Sequence, residues 1–186
     1  GCECYLASRG RKDKVHALDS ERYHLVLLCE NATGYQNLIS MVSKSWTEGF
    51  YTKPRIDREL LEKYHEGIIA LSACLAGEIP RALMADDYER AKEKALWYNS
   101  VFGQGNFFLE LQNHGIREQK QIEPMLIRLS KETGIPLVAT NDTHYVRKED
   151  SKIQQVLICI ATNTTLGQGN GLEFDSDEFY LKSEEE

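Results

Sequence analysis

In the stretch PLVATNDTHYVR (Pro136–Arg147) an apolar run breaks into Asp142 and His144, an acid and an imidazole two residues apart. In extended backbone, residues i and i+2 point the same way, so both side chains would face one site. In parallel α/β proteins, ligands and catalysis gather at the carboxyl ends of strands. By that rule Cys74 follows the apolar run Ile68–Ala73, and Gln112, Asn113 and His114 follow Phe107–Leu111. Glu3 alternates with Cys2 and Cys4 on the first apolar stretch; if the cysteines face helices, Glu3 faces the interior. His24 breaks the pattern, because it opens its apolar run. Carboxylate, imidazole and thiolate at one rim suit divalent ions such as zinc, manganese or iron. Such ions clamp a phosphate and activate water near neutral pH.

Taken singly, each residue also has a plain reading. Asp142 can cap a turn, with His144 a hydrogen-bonded loop residue. Cys74 can be a core thiol, His24 a satisfied buried histidine and His114 the close of a turn at Gly115. His65, before Glu66-Gly67, complements the end of a helix, and His16 lies in a polar loop.

The elements that must position these residues alternate short apolar runs with helical periodicity, the mark of parallel βα units. Strands are expected at Glu3–Ala7, Tyr23–Leu28, Ile68–Ser72, Phe107–Gln112 and Leu137–Thr140. Between the second and third, Tyr35, Leu38, Ile39, Val42 and Trp46 form a stripe at helical spacing, with Thr33 and Gln36 in a capping-box pattern and Gly49 as a stop. Further helices are expected at Asp57–His65, Ala76–Ala85, Asp87–Phe102, Glu118–Thr133 and Lys148–Ala161. The tail LGQGNGLEFDSDEFYLKSEEE is Gly-rich, then acidic, and is expected to lead away from the barrel or layer. The first strand stands at residue 1 with no helix before it, so the chain reads as a piece of something larger.

At 186 residues the chain can build one core. Asp+Glu 29 against Lys+Arg 22 gives a net charge of −7, which argues against an independent electrostatic binder of nucleic acid. The one basic run, RGRKDK (Arg9–Lys14), is expected to be a solvated loop. No apolar run is long enough to span a membrane, and the start lacks a secretory pattern. Five scattered cysteines without C-x-x-C argue against a disulfide framework or zinc knuckle and fit a reducing cytoplasm.

The strings YHLVLLCENATGYQNLISMVSKSW, GFYTKPRIDRELL, EGIIALSACLAGEIPRAL, FFLELQNHGIREQ, GIPLVATNDTHYVRKED and FDSDEFYLKSEEE together resemble the polymerase-and-histidinol-phosphatase (PHP) domain of bacterial DNA polymerase III alpha subunits. The likeness runs from Gly1 to Glu186, nearly without gaps outside Ala7–Arg22. It implies an α/β fold, a distorted seven-stranded (βα)7 TIM-like barrel with a trinuclear metal site at one rim. Carried over residue by residue, the metal-binding glutamate of GCE falls on Glu3, the histidine of YHLVLL on His24 and the cysteine of LSACLAGE on Cys74. The N-D-x-H pair falls on Asp142 and His144, and His114 resembles a residue just behind the rim. The family's opening H-x-H motif, the acid after it and its D-H-G motif have no counterpart here. The resemblance therefore implies an incomplete barrel lacking its first two βα units, with residues 1–166 a partial PHP domain and 167–186 an exit segment toward the polymerase body. An open barrel exposes sheet edges and apolar surface, so a marginal, rearranged or oligomeric piece is expected.

The implied activity of the intact domain is a metal-dependent phosphodiesterase, a 3′–5′ exonuclease proofreading DNA, with this chain inactive alone. An alternative is a non-catalytic scaffold that braces the rest of the polymerase alpha chain and docks replisome subunits such as a proofreading subunit. A third is a phosphatase of small phosphoesters, against which the FDSDEFYLKSEEE tail counts. The chain has no polymerase palm carboxylates, so it cannot itself synthesise DNA.

Overall fold

The computed structural model describes residues 1–167 and 176–186. Its centre is a six-stranded sheet in the order β3-β1-β2-β4-β5-β6, built from β1 (Cys2–Ala7), β2 (Arg22–Cys29), β3 (Arg55–Ile56), β4 (Ile68–Leu71), β5 (Phe107–Leu111) and β6 (Leu137–Ala139). The helices are α1 (His16–Asp19), α2 (Ala32–Thr47), α3 (Arg58–Tyr64), α4 (Glu78–Met84), α5 (Tyr88–Phe102), α6 (Arg117–Thr133) and α7 (Ser151–Thr162), the last entered through a 3-10 turn at Lys148–Asp150. This mixed α/β architecture is compatible with a partial TIM-like barrel. Among the described residues the sheet is open, with β3 and β6 at its edges.

All five expected strands form, and the two-residue β3 adds a sixth. Their direction is the correction. β2 runs antiparallel to both β1 and β4, while β4, β5 and β6 run parallel. A parallel crossover needs a dozen or more residues, most of them in a covering helix. The β1–β2 connection, Ser8–Glu21, holds only the short α1 and turns the chain straight back.

One residue of the basic run, Arg11, is buried and shapes that connection together with Arg55, while Arg9, Lys12 and Lys14 stay exposed as expected. Arg11 is 5% exposed and donates from Nε to Glu48 Oε2 (2.8 Å) and from its guanidinium to Asp57 Oδ2 (3.0 Å) and Glu59 Oε2 (2.9 Å). Arg55, 1% exposed, donates to the carbonyls of Gly49 (3.2 Å), Asp19 (3.1 Å), Arg11 (3.0 Å) and Asp13 (2.8 Å). Arg9 pairs with the buried Asp19 carboxylate through two bonds of 2.8 and 2.6 Å. Charge runs are read as solvated because burying a lone charge is costly; here each burial is matched by acceptors.

Period-two alternation then divides the sheet. Cys4, Leu6, Leu25, Leu27, Ala70 and Leu109 lie in the core beneath the helices. Glu3, Tyr5, His24 and Glu110 take the other face, as the sequence register required for Glu3. The helix α2 is rotated from its expected setting. Its buried line is Gly34, Leu38, Met41 and Ser45, while Tyr35, Ile39 and Trp46 are exposed. Gly34 fixes that rotation, because a Cβ there would stand 1.8 Å from the Gly67 carbonyl oxygen. Asn31, not the expected Thr33–Gln36 box, caps α2 by accepting from Gly34 N–H at 3.0 Å. All five cysteines are free thiols. Among the described residues no helix is long and apolar enough to cross a membrane. Part of the Gly-rich tail lies outside the described residues, but 176–186 packs back on the body, with Phe179 buried.

Replacing Arg55 with Met leaves up to four carbonyls without their charged donor and should lower unfolding free energy by about 3 kcal/mol or more. Urea unfolding checks this, and a loss under about 1 kcal/mol would show the loop to be held otherwise. Arg9 holds the Asp19 carboxyl down to about 2, and Arg11 with Lys44 does the same for Glu48. Depressed carboxyl values stabilise the fold above the unfolded values near 4 and lose that contribution as pH falls toward 2. The urea midpoint should therefore fall between pH 5 and pH 3, and Asp19→Asn should flatten the fall.

Candidate metal centre

The reversal of β2 resolves the odd position of His24. Because the strand runs backwards, its start lies beside the carboxyl end of β4. His24 N–H donates to the Ala76 carbonyl at 3.1 Å, and His24 bridges to Gly77. Gly77 lets the loop itself turn tightly, since a Cβ there would sit 2.1 Å from the Ser72 carbonyl oxygen. The loop after β4 thus closes on β2 and brings Cys74 to His24.

Two side chains converge on one ring nitrogen. His24 Nδ1 stands 3.3 Å from Glu3 Oε1 and 3.7 Å from Cys74 Sγ. Tyr5 meets the imidazole edge-on at 5.2 Å. The hydrogen bond with Cys74, and then that with Glu3, lift the His24 imidazole to about 9 against the opposing effect of burial. In turn His24 holds the Glu3 carboxyl below its usual range. The result is an imidazolium lodged between a carboxylate and a thiol.

Asp142 and His144 reach the same place by another route than expected. Asp142 has φ +43°, so the backbone is not extended there and the same-side rule does not apply. Instead the chain turns, and His144 Nδ1–H donates to the Asp142 carbonyl at 2.7 Å, which sets the tautomer with its lone pair on Nε2. Even so, Glu3, His24, Cys74, Asp142 and His144 all line one cavity of about 300 Å³. Among the described residues, no group of three or more His, Cys, Asp and Glu side chains is arranged to hold a metal ion. The donor chemistry fits one: carboxylate, imidazole and thiol are ligands for divalent transition ions, and a carboxylate and a sulfur already gather at Nδ1 of His24.

His114 is fully buried behind this rim. Gln119 Nε2–H donates to His114 Nδ1 (2.8 Å), so Nε2–H donates to the Asn141 carbonyl (2.7 Å). Phe179 stacks flat on His114 at 4.1 Å and meets His144 edge-on at 5.4 Å. Sequence reasoning passed over Gln119, Phe179 and Glu110. Of these Glu110 carried a signal, a lone acid at an interior register within FFLEL. Burial pushes its carboxyl up, while donors from Thr140 and Ala73 pull it back.

The sequence model of the PHP domain matches residues 1–114, more than half the chain. This chain belongs to the PHP domain family. DNA polymerase III subunit alpha of Treponema pallidum is 47% identical over 186 residues, which is 100% of this chain and 16% of that protein. The subunit of Borreliella burgdorferi is 46% identical, again across 100% of this chain and 16% of its own length. That of Thermus aquaticus is 45% identical over 100% of this chain and 15% of its own. The PHP chain thus spans about a sixth of the length of the curated relatives it matches.

A raised histidine value stabilises the PHP fold below the ordinary 6.5 and loses that contribution as pH rises through about 9. Ring-proton NMR should place the His24 midpoint near 9, and Glu3→Gln should bring it down toward 6.5. A midpoint that ignores Glu3→Gln would disprove the paired arrangement.

Proposed function

We propose that this PHP domain is part of a replicative DNA polymerase alpha subunit and carries one rim of a divalent-metal site for phosphodiester hydrolysis. In the intact domain the reaction is 3′–5′ exonucleolytic removal of nucleotides from DNA; the 186 residues alone hold metal weakly and have little or no catalysis. The observation that carries this reading is the single cavity shared by Glu3, His24, Cys74, Asp142 and His144, drawn from two strands and two loops. Divalent ions there would polarise a phosphoryl oxygen and make water a nucleophile near neutral pH. The chain's own groups would do the holding: Glu3 and Asp142 by carboxylate, His24 and His144 by imidazole, Cys74 by thiolate. For His24, binding an ion at Nδ1 means giving up the proton now shared with Glu3 and Cys74, so uptake should release protons.

A second reading, a scaffold that braces the polymerase and docks a proofreading subunit, is favoured by one observation. The Glu3–His24 pair is satisfied without an ion, while apolar Tyr35, Ile39 and Trp46 on α2 and Ile153, Leu157 and Ile160 on α7 stand exposed. Small-molecule phosphatase activity has no comparable support.

Elemental mass spectrometry of the chain and of the full-length alpha subunit separates these readings. The metal-site reading expects about two to three ions in the subunit, at most about one in the chain, and loss of both with Asp142→Asn plus His144→Ala. Background metal in both proteins would leave the scaffold.

A further inference from the structure

The two loops that carry Cys74 and the Asp142–His144 pair leave the sheet from different strands, and each begins with a demand. Ala73 sits at φ +62°, a left-handed conformation that a residue with a side chain rarely adopts, immediately before Cys74. Thr140 is the last residue before Asn141 and the turned Asp142, where β6 has already ended. Something must fix both departures if the ligands are to meet.

Glu110 stands between them. It is 5% exposed on β5, the strand that separates β4 from β6. Its Oε2 accepts the Ala73 N–H, and its Oε1 accepts the Thr140 hydroxyl at 2.7 Å. The Thr140 Oγ1 accepts in turn from Gln112 Nε2 at 3.1 Å, which leaves its proton directed at Glu110. The Glu110 N–H donates to Ser72 Oγ at 2.9 Å, so the residue grips the end of β4 through backbone and side chain alike. Glu110 is absent from the walls of the cavity the five candidate ligands share; it touches the residues that aim them.

We propose that Glu110 is a positioning residue of the metal site, its one carboxylate clasping the Cys74 loop to the Asp142–His144 loop. The proposal rests on the metal-site reading and adds a residue to it. An amide keeps only part of this clasp. With glutamine's one oxygen on the Ala73 N–H, its NH2 must donate to a Thr140 hydroxyl that already accepts from Gln112 Nε2, and the Thr140 proton loses its charged acceptor. The grip on the Asp142 loop is then weakened, and the distance between the two loops' ligands is less tightly set.

The test is zinc titration of the chain by calorimetry, with amide NMR of wild type, Glu110→Gln, Thr140→Val and the double variant. Glu110→Gln should weaken zinc binding roughly 10–100-fold, as loss of a group supporting the ligands does, and should move the Cys74 and Asn141–His144 resonances together. Thr140→Val should move the second set more than the first, and the double variant should bind no more weakly than Glu110→Gln alone. Leu109→Ala, a core loss on the same strand, is the control: it should lower stability yet leave zinc affinity of the folded protein unchanged. If Glu110→Gln fails to fold, Thr140→Val against Leu109→Ala decides. Wild-type zinc affinity in folded Glu110→Gln, movement of only one loop, or an equal loss of affinity in Leu109→Ala would overturn the clasp. If the wild-type chain takes up no zinc, the same titration on the full-length alpha subunit decides: uptake there that Glu110→Gln leaves unchanged overturns the clasp, and no uptake there fails the metal-site reading, leaving joint movement of the two loops to decide whether Glu110 joins them.

Discussion

A single guanidinium governs much of this molecule. Arg55 is buried and donates to four backbone carbonyls, three of them in the segment between β1 and β2. Those bonds, with the Arg11 and Arg9 ion pairs, fold that segment into a compact turn instead of a crossover. The turn makes β2 run backwards, and the reversal delivers His24 to the rim where β4 ends. The approach of His24 to Glu3 and Cys74 is therefore a consequence of polar satisfaction far from the cavity. Buried charge is poor evidence for net stability, but it specifies conformation when every donor has one place to go.

The site itself is an exercise in redundancy of means. Glu3 arrives by strand alternation, His24 by strand reversal and Cys74 by a loop pinned at Gly77 and Ala73. Asp142 and His144 arrive by a left-handed turn held by the His144–Asp142 hydrogen bond and by His114 on the Asn141 carbonyl. Five side chains reach one cavity by four kinds of local geometry.

Strand positions were legible because period-two alternation survives in each apolar run, and the face of Glu3 followed from it. Strand direction was not, because it depends on Arg55 and Arg11 meeting acceptors tens of residues away, as in the Arg11–Asp57 pair. The helix α2 was legible in extent but not in rotation: it is apolar on more than one side, and Gly34 against Gly67 chooses the side. The Asp142–His144 pair was singled out by assuming extended geometry where φ at Asp142 is +43°, so the turn that brings both to the cavity was not legible. Glu110 was legible in hindsight as an acid in an apolar strand, but its two hydrogen-bond partners belong to other elements.

The ring of Phe179 has a consequence of its own. It lies flat on His114 and edge-on to His144, and its carbonyl accepts the His144 N–H at 2.8 Å. The end of the chain is thereby moored to the histidines of the site by the same aromatic residue. To lift residues 176–186 away, the ring must unstack from one imidazole and its backbone must let go of the other. Tension on that segment would be felt as slack in His144 before it was felt anywhere else in the sheet.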